Sequence, residues 1–314
     1  MKNVILETER IFLREMDMND YDALYSVLAD HENMRYYPYS FDEARVGDWI
    51  ERNKNRYRET GYGLWAVCLK ETGEMIGDCG LTIQNINGEL LPEIGYHIRR
   101  DCQRKGYAEE AAKSVRDWAF RNIVAQALYS YCKYTNEPSI RTAESIGMRF
   151  ACEYPDEING KTHVSMITRE EWLKELTDNM IKWAKDKYGN KEYTGWCLSF
   201  IEDALEKSNG IEIFGGDSAK ESALLYADGM RQGKPEKGAF VFYDCICLGP
   251  GGLVNWGHCG ISLGDGDVIH AWDAVRIDAY REIEGLTAPS GDHPKYIGWV
   301  SVERVLQQKE KGAP

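Results

Sequence analysis

The sequence predicts two folded domains in one chain, an α/β-type domain at the N-terminal end and an α+β domain after it. Three observations carry this expectation. Residues 1–168 alternate strand-like and helix-like periods. The stretch Arg169 to Lys187 contains no Gly or Pro and reads as one helix, with a domain boundary hidden inside it near Leu176 to Asn179. From Tyr188 onward glycine becomes dense and the segments shorten. A length of 314 residues fits two domains of ordinary size, expected here as 1–176 and 177–314.

Taken in order, Ile5 to Arg14 reads as extended, Tyr21 to Leu28 has helical spacing, and a second helix is expected over Phe41 to Tyr57. Three strand runs follow: Gly63 to Lys70, Met75 to Ile83 and Leu91 to Ile98, separated at Glu71-Thr72-Gly73 and Asn87-Gly88. A helix from Ala108 to about Asn122 places Ala111, Ala112, Val115, Trp118 and Ala119 on one face. Ala127 to Lys133 is a strand, and Pro138 to Ile146 a short helix stopped by Gly147. Lys161 to Thr168 is the last strand of this half. In the second half a helix from Trp196 to Lys207, closed by Gly210, precedes strand-like runs at 239–247, 258–263, 267–271 and 295–300.

Composition narrows the function. Hydrophobic residues at 43% and charged residues at 28% describe a folded chain rather than a disordered one. No run of 18 apolar residues spans a bilayer, and the start Met1-Lys2-Asn3 meets acidic residues too early for a secretory signal. A net charge of −13 argues against a nucleic-acid partner. Nine cysteines without a pairing framework, at 68, 79, 102, 132, 152, 197, 245, 247 and 259, fit a reducing cytoplasm. Membrane and nucleic acid are thus not expected partners, and the oligomeric state is open.

Gln103-Arg104-Lys105-Gly106-Tyr107-Ala108 follows the strand Glu93-Ile94-Gly95-Tyr96-His97-Ile98 and opens a helix. The amides of a helix's first turn have no internal partner and the dipole favours an anion there. Arg99, Arg100, Arg104 and Lys105 add positive charge. The turn suits a diphosphate, and taken alone it fits a solvated basic turn equally well. Its neighbours add specificity. Thr8-Glu9-Arg10-Ile11-Phe12-Leu13-Arg14, Ile76-Gly77-Asp78-Cys79-Gly80-Leu81, Glu93-Ile94-Gly95-Tyr96, Gly106-Tyr107-Ala108-Glu109-Glu110-Ala111 and Asn136-Glu137-Pro138-Ser139-Ile140-Arg141 stand in one order. Over residues 5–168 this resembles the GNAT acetyltransferases of the RimJ/RimL type. The resemblance implies a mixed sheet flanked by helices, acetyl-CoA as cosubstrate, and a small-molecule or peptide amine as acceptor. It implies an opening between Leu91–Ile98 and Ala127–Lys133, with the pantetheine arm bonded to the backbone of Tyr96, His97 and Ile98 and contacted by Asn136. The reaction needs a base for the amine, expected to be Glu93 at the mouth of the opening; a salt-bridged strand end is the alternative. Ala143 stands roughly where many members carry a Tyr as general acid. Ser139 is the polar group left nearby, and the acid stays unassigned.

Cys197 begins a helix after Tyr193-Thr194-Gly195-Trp196, where the dipole favours a thiolate. Nucleophilic chemistry needs a base and a group orienting it, and His258 and His270 are the candidates. If Gly264-Asp265-Gly266 is a three-residue hairpin loop, Gly260 faces His270 and His258 lies diagonal to it on the same face. Such diagonals are roughly 7–8 Å apart at the backbone. The bland alternative is a core thiol and incidental histidines. Tyr188-Gly189, Tyr193, Cys197, His258-Cys259-Gly260-Ile261 and Ile269-His270-Ala271, over 178–305, are similar to the NlpC-type papain-like cysteine peptidases. That resemblance implies Cys197 as nucleophile, His258 as base, His270 as its orienting group, and Tyr193 as a contact to substrate or oxyanion. Trp196-Cys197-Leu198-Ser199 departs from that family's Asp-Cys-Ser-Gly. No metal is expected, because Cys245-Ile246-Cys247 with His258 and Cys259 lacks zinc spacing. Two functions stay open: a bifunctional acetyltransferase and amide hydrolase, or an acetyltransferase joined to an inactive peptide-binding module. A third, in which both sites act on one substrate, rests on the fusion alone.

Overall fold

The computed structural model describes residues 4–39, 41–249 and 251–307. The outer ends of the two expected domain ranges, and the start Met1-Lys2-Asn3, lie outside the described residues. Two compact units are present, Met1–Glu170 and Glu171–Pro314.

The first unit is an eight-stranded mixed sheet. Its strands are β1 (Val4–Glu7), β2 (Ile11–Arg14), β3 (Leu64–Leu69), β4 (Met75–Ile86), β5 (Glu89–Ile98), β6 (Ala127–Lys133), β7 (Arg149–Asp156) and β8 (Gly160–Thr168), in the order β1-β2-β3-β4-β5-β6-β8-β7. All neighbours run antiparallel except β5 and β6. The helices are α1 (Tyr21–Leu28), α2 (Glu43–Thr60), α3 (Tyr107–Asn122) and α4 (Glu137–Ser145). Helix α2 starts on Asp42, whose carboxylate accepts from the Arg45 amide, and stops at left-handed Gly61. Leu24, Val27, Val46 and Ile50 of α1 and α2 pack with Leu64, Ala66 and Met75 of the sheet as one buried cluster.

Two expectations for this half need correction. Ile5 to Arg14 is not one extended run but a hairpin, in which Leu6 faces Leu13 and Glu7 faces Phe12. The intervening turn is held by Glu110, whose Oε1 accepts from Thr8 Oγ1 (2.6 Å) and the Arg10 amide (2.9 Å). No strand is expected between Gly147 and Lys161, yet β7 stands there; it lies at the sheet edge, where the missing amide of Pro155 is tolerated.

Helix α5 (Arg169–Asp186) leads into the second unit, whose other helices are α6 (Cys197–Asn209), α7 (Ala219–Leu225) and α8 (Val302–Leu306). Its strands are β9 (Phe240–Asp244), β10 (Ile246–Gly249), β11 (Gly252–Asn255), β12 (His258–Ser262), β13 (Asp267–Ala271), β14 (Val275–Ala279) and β15 (Lys295–Val300). Five of them form an antiparallel sheet in the order β14-β13-β12-β9-β15, and β10 and β11 pair separately. Its core gathers Ala239, Val241, Tyr243, Val268, Ile283 and Trp299. The expected single run 239–247 is split at Cys245. There the Asn255 side chain accepts from the Cys245 amide (3.0 Å) and Asp292 accepts from the Ile246 amide (2.7 Å), so side chains take the place of the ladder.

Gly77 pairs with Ile98, and a Cβ there would sit 2.0 Å from the His97 carbonyl oxygen. Gly77→Ala is expected to destabilise the first unit by about 1–3 kcal/mol. Gly73→Ala, in a turn with φ +73° and nothing within 4 Å, should cost about 1 kcal/mol through backbone strain alone. Urea unfolding read by hydrogen exchange in β4 and β5 checks the ranking.

Candidate functional site

Strands β5 and β6 are in register at Glu93 and Tyr129, and beyond that point they diverge toward their C-terminal ends. A cleft of about 1130 Å³ opens there, lined by Glu93, Tyr96, His97, Ile98, Gln103, Arg104, Gly106, Tyr107, Ala108, Asn136 and Ser139 among others. Glu93 therefore stands at the closed root of the split rather than at its mouth. Lys105 is not among the lining residues; its carbonyl accepts from Arg10 Nη1 (2.8 Å).

The anion turn owes its shape to two left-handed residues, Arg104 (φ 59°) and Gly106 (φ 84°). The first helical bond of α3 runs from the Glu110 amide to the Gly106 carbonyl (3.0 Å), so the amides of Tyr107, Ala108 and Glu109 have no partner within the helix. A Cβ on Gly106 would lie 3.1 Å from the Arg10 guanidinium. The basic cluster is smaller than its sequence suggests. Arg99 is tied to Asp101 (2.6 Å) and Glu74 (2.7 Å), and Arg100 to Asp30 (3.2 Å), which leaves Arg104 as the member of the four that lines the cleft. Gln103 donates to the Ile98 carbonyl (2.9 Å) and to Asn33, bracing the strand end against the turn.

Helix α4 closes the other side. Asn136 caps it by accepting from the Ser139 amide (3.3 Å), and the Tyr96 hydroxyl donates to the Ser139 carbonyl (2.8 Å). Ala143 is buried in the core, whereas Ser139, Thr142 and Ser145 face the cleft.

On the sheet face bearing Glu93, the register sets Thr82 opposite Glu93, Gly80 opposite Gly95 and Asp78 opposite His97. Glu93 is 8% exposed and accepts from Thr82 Oγ1 (3.0 Å). Burial raises its carboxyl to about 7, against the lowering effect of the Thr82 bond. A network unread in the sequence stands beside it. His97 Nδ1 lies 2.7 Å from Asp78 Oδ1, His97 Nε2 lies 2.6 Å from the Tyr37 hydroxyl, and Trp49 Nε1 donates to Asp78 Oδ2 (2.8 Å). Burial lowers the His97 imidazole, but the fully buried Asp78 outweighs this and holds it above its ordinary value. Asp78 and His97 lie in the runs 76–81 and 93–98, whereas no local pattern marks Tyr37, which reaches them from the segment between α1 and α2.

In the second unit β12 and β13 pair with Gly260 opposite His270, and the Leu263 amide donates to the Asp267 carbonyl (2.8 Å), the register of a three-residue loop. His258 Nε2 and His270 Nδ1 are 2.8 Å apart. Gly260 makes this possible, since a Cβ there would meet His270 Cβ at 2.8 Å. His270 Nε2 is in turn 2.9 Å from Asp278 Oδ2 on β14, a residue the sequence did not single out. Burial and the neighbouring His258 lower His270 to about 3, so it is neutral. Arg276 forks onto Asp278 (2.6 and 2.9 Å), which keeps that carboxylate ionised below its ordinary value despite burial.

Half-buried Cys197 opens α6 beside β12. Hydrogen bonding with Cys259, then the charge and hydrogen bond of His258, hold its thiol well below the ordinary value, against burial that raises it. Cys259 is pushed the other way by burial and by Cys197. Tyr193 is engaged elsewhere: its hydroxyl donates to Asp203 (2.6 Å) and its ring packs on Trp183 and Phe200. Cys245 and Cys247 Sγ atoms are 4.0 Å apart, and among the described residues no group of three His, Cys, Asp or Glu side chains could hold a metal ion. Nor is any described helix long and apolar enough to cross a membrane.

Residues 10–149 match the acetyltransferase (GNAT) domain family. YkkB, an uncharacterized protein of Bacillus subtilis, is 37% identical over 149 residues, which span 46% of this chain and 86% of YkkB. The uncharacterized N-acetyltransferase YnaD of the same organism is 30% identical over 145 residues, 46% of this chain and 82% of its own. A GNAT acetyltransferase from Bacillus anthracis has a solved structure 25% identical to this chain, with a TM-score of 0.46 over 52% of this chain and 98% of its own. With a relative this similar matched over most of its length, and the family's domain running from β2 to the start of β7, the chain belongs to the GNAT acetyltransferases.

Proposed function

We propose that the first unit acetylates an amine with Glu93 as the base. Acetyl-CoA supplies the thioester acyl group. The turn fits its diphosphate, with left-handed Arg104 and Gly106 and the open amides of α3 forming the cradle. The observation that carries the reading is Glu93, buried at the root of the split with its carboxyl raised to about 7, where a base working near neutrality belongs. Tyr37 supplies the proton donor. With His97 protonated, both ring N–H groups donate, one to Asp78 and one to the Tyr37 oxygen, so the Tyr37 O–H is free for the cleft it lines.

Glu93→Gln should retain acetyl-CoA binding and slow transfer by about 10²–10⁴; an unchanged rate removes Glu93 as base. Because its folded value is raised, Glu93 favours folding below the ordinary carboxyl range, and that contribution is lost as pH rises through about 7. Activity should rise over the same interval, as the carboxylate forms. It should fall again above the ordinary histidine range, as His97 loses its proton and captures the Tyr37 hydroxyl. His97→Gln should abolish the falling limb while leaving the rising one, read from kcat against pH.

For the second unit we infer a thiol-dependent amide hydrolase of the NlpC type, with its domain taken as 177–314. Ionised Asp278 accepts from His270 Nε2–H, so His270 Nδ1 accepts from His258 Nε2–H. That leaves His258 Nδ1 as the nitrogen able to take the Cys197 proton and return it to a departing amine. The lowered thiol supports this reading over an inert binding module. Iodoacetamide should label Cys197 faster than any other cysteine. His258→Ala should slow that labelling about tenfold or more, since the thiolate fraction falls with its partner. Labelling no faster than at exposed Cys152 would sink the hydrolase.

A further inference from the structure

Helix α2 turns Arg52 and Arg56 toward the cleft, one helical turn apart, and both line it. Among the described residues neither guanidinium meets a carboxylate in an ion pair. Arg52 lies over the Trp49 ring (5.4 Å) and Arg56 donates to Asn53 Oδ1 (3.1 Å). Burial, then the charge of Arg52, hold Arg56 below the ordinary arginine value. Arg52 is exposed and Arg56 half-buried, and like charges one helical turn apart repel each other, a repulsion that an anion between them relieves. The other arginines lining this cleft are committed elsewhere: Arg141 pairs with Glu137 (2.9 Å), Arg35 donates to the Glu32 carbonyl (2.9 Å), and Arg104 belongs to the diphosphate turn.

The placement of the pair is held at two points. Trp49 anchors α2 to Asp78, opposite His97, and Asn53 Oδ1 accepts from the Leu64 amide (2.9 Å). Arg56 is near enough to Glu93 for its charge to act on that carboxyl. The diphosphate turn follows the other end of β5, and Ile98 lies five residue steps beyond Glu93, roughly 16 Å at 3.3 Å each. The arginines thus serve the acceptor's end of the cleft. Between Glu93 and His97 the cleft is lined by Gly95, where a Cβ would meet the Glu93 carboxylate oxygens at 3.2 Å, so the missing side chain leaves that carboxylate room. A purely cationic amine entering there would meet two guanidiniums; one carrying its own anion would be drawn in.

We propose that Arg52 and Arg56 form an anion subsite for the acceptor, so that the amine acetylated carries a carboxylate or phosphate within a few atoms of its nitrogen. The substrate class is then that of an amino acid or amino phosphate rather than a polyamine. This rests on the transferase assignment above: the amine nitrogen bonds to the acetyl carbon, the C–S bond breaks with its electron pair on sulfur, the departing CoA thiolate takes the Tyr37 proton, and the amine proton passes to Glu93.

The test measures thiol release from acetyl-CoA with glutamate, serine and O-phosphoserine, each beside its methyl ester, and with spermidine. Free acids should exceed their esters in kcat/KM by at least about tenfold, the ratio set by one charge-assisted contact. Glutamate against O-phosphoserine separates carboxylate from phosphate. In R52Q/R56Q the acid-to-ester ratio should collapse toward one through KM, and R52K/R56K should restore part of it. Esters or spermidine equal to the acids, or a ratio unmoved in R52Q/R56Q, overturns the subsite. If no amine is acetylated, the transferase mechanism fails and calorimetry still reads the subsite. Heat of binding from glutamate or O-phosphoserine that is lost in R52Q/R56Q supports it, and no heat with either ligand overturns it.

Discussion

The first unit depends on a failure of pairing. Parallel strands β5 and β6 meet at Glu93 and Tyr129 and then separate, although each keeps its antiparallel neighbour on the far side. Buried backbone amides and carbonyls must find partners, so a split inside a sheet persists only where something else can fill it. Here Gln103 satisfies the Ile98 carbonyl, Tyr96 reaches across to Ser139, and the space left over is the cleft. The same divergence sets a carboxylate at its root, where water is scarce and a proton is held more tightly.

The second unit solves a related problem with side chains. Three strands contribute one member each to a line of hydrogen bonds from His258 through His270 to Asp278. A buried, neutral imidazole in the middle of that line acts as a spacer whose protons have one arrangement. The carboxylate at the end needs Arg276 to stay charged, so the orientation of His258 is fixed from the surface inward.

Much of this was legible in the sequence, and the limits have physical causes. Long periodic segments such as α3, β6 and α5 were readable because each buries one continuous face. The β12–β13 register was readable because Gly264 and Gly266 constrain the loop and one slip would move every side chain to the other face. Strand β7, the β1–β2 turn and the break at Cys245 were not, because each is decided by tertiary partners: an edge position, Glu110, and the pair Asn255 and Asp292. The candidate sites divide the same way. Glu93, the anion turn, Cys197 and both histidines sit at recognisable places in a local pattern. Tyr37, Asp78 and Asp278 gain their roles from strand registers and loop placements that no local spacing encodes, and Tyr193 is diverted to Asp203 by the packing of α6.

Glu110 has one more consequence. Its carboxylate sits in the first turn of α3, where it could compete with a ligand's phosphate, yet Arg10 and Thr8 absorb its charge and leave the helix end open. The β1–β2 hairpin is thereby tied to the turn at 103–108 that leads into α3. By linkage, whatever free energy the ordered hairpin lends to ligand binding, the ligand returns to the ordering of the hairpin. Occupancy of the cleft is written into the stability of an edge strand, where amide exchange can read it without any turnover at all.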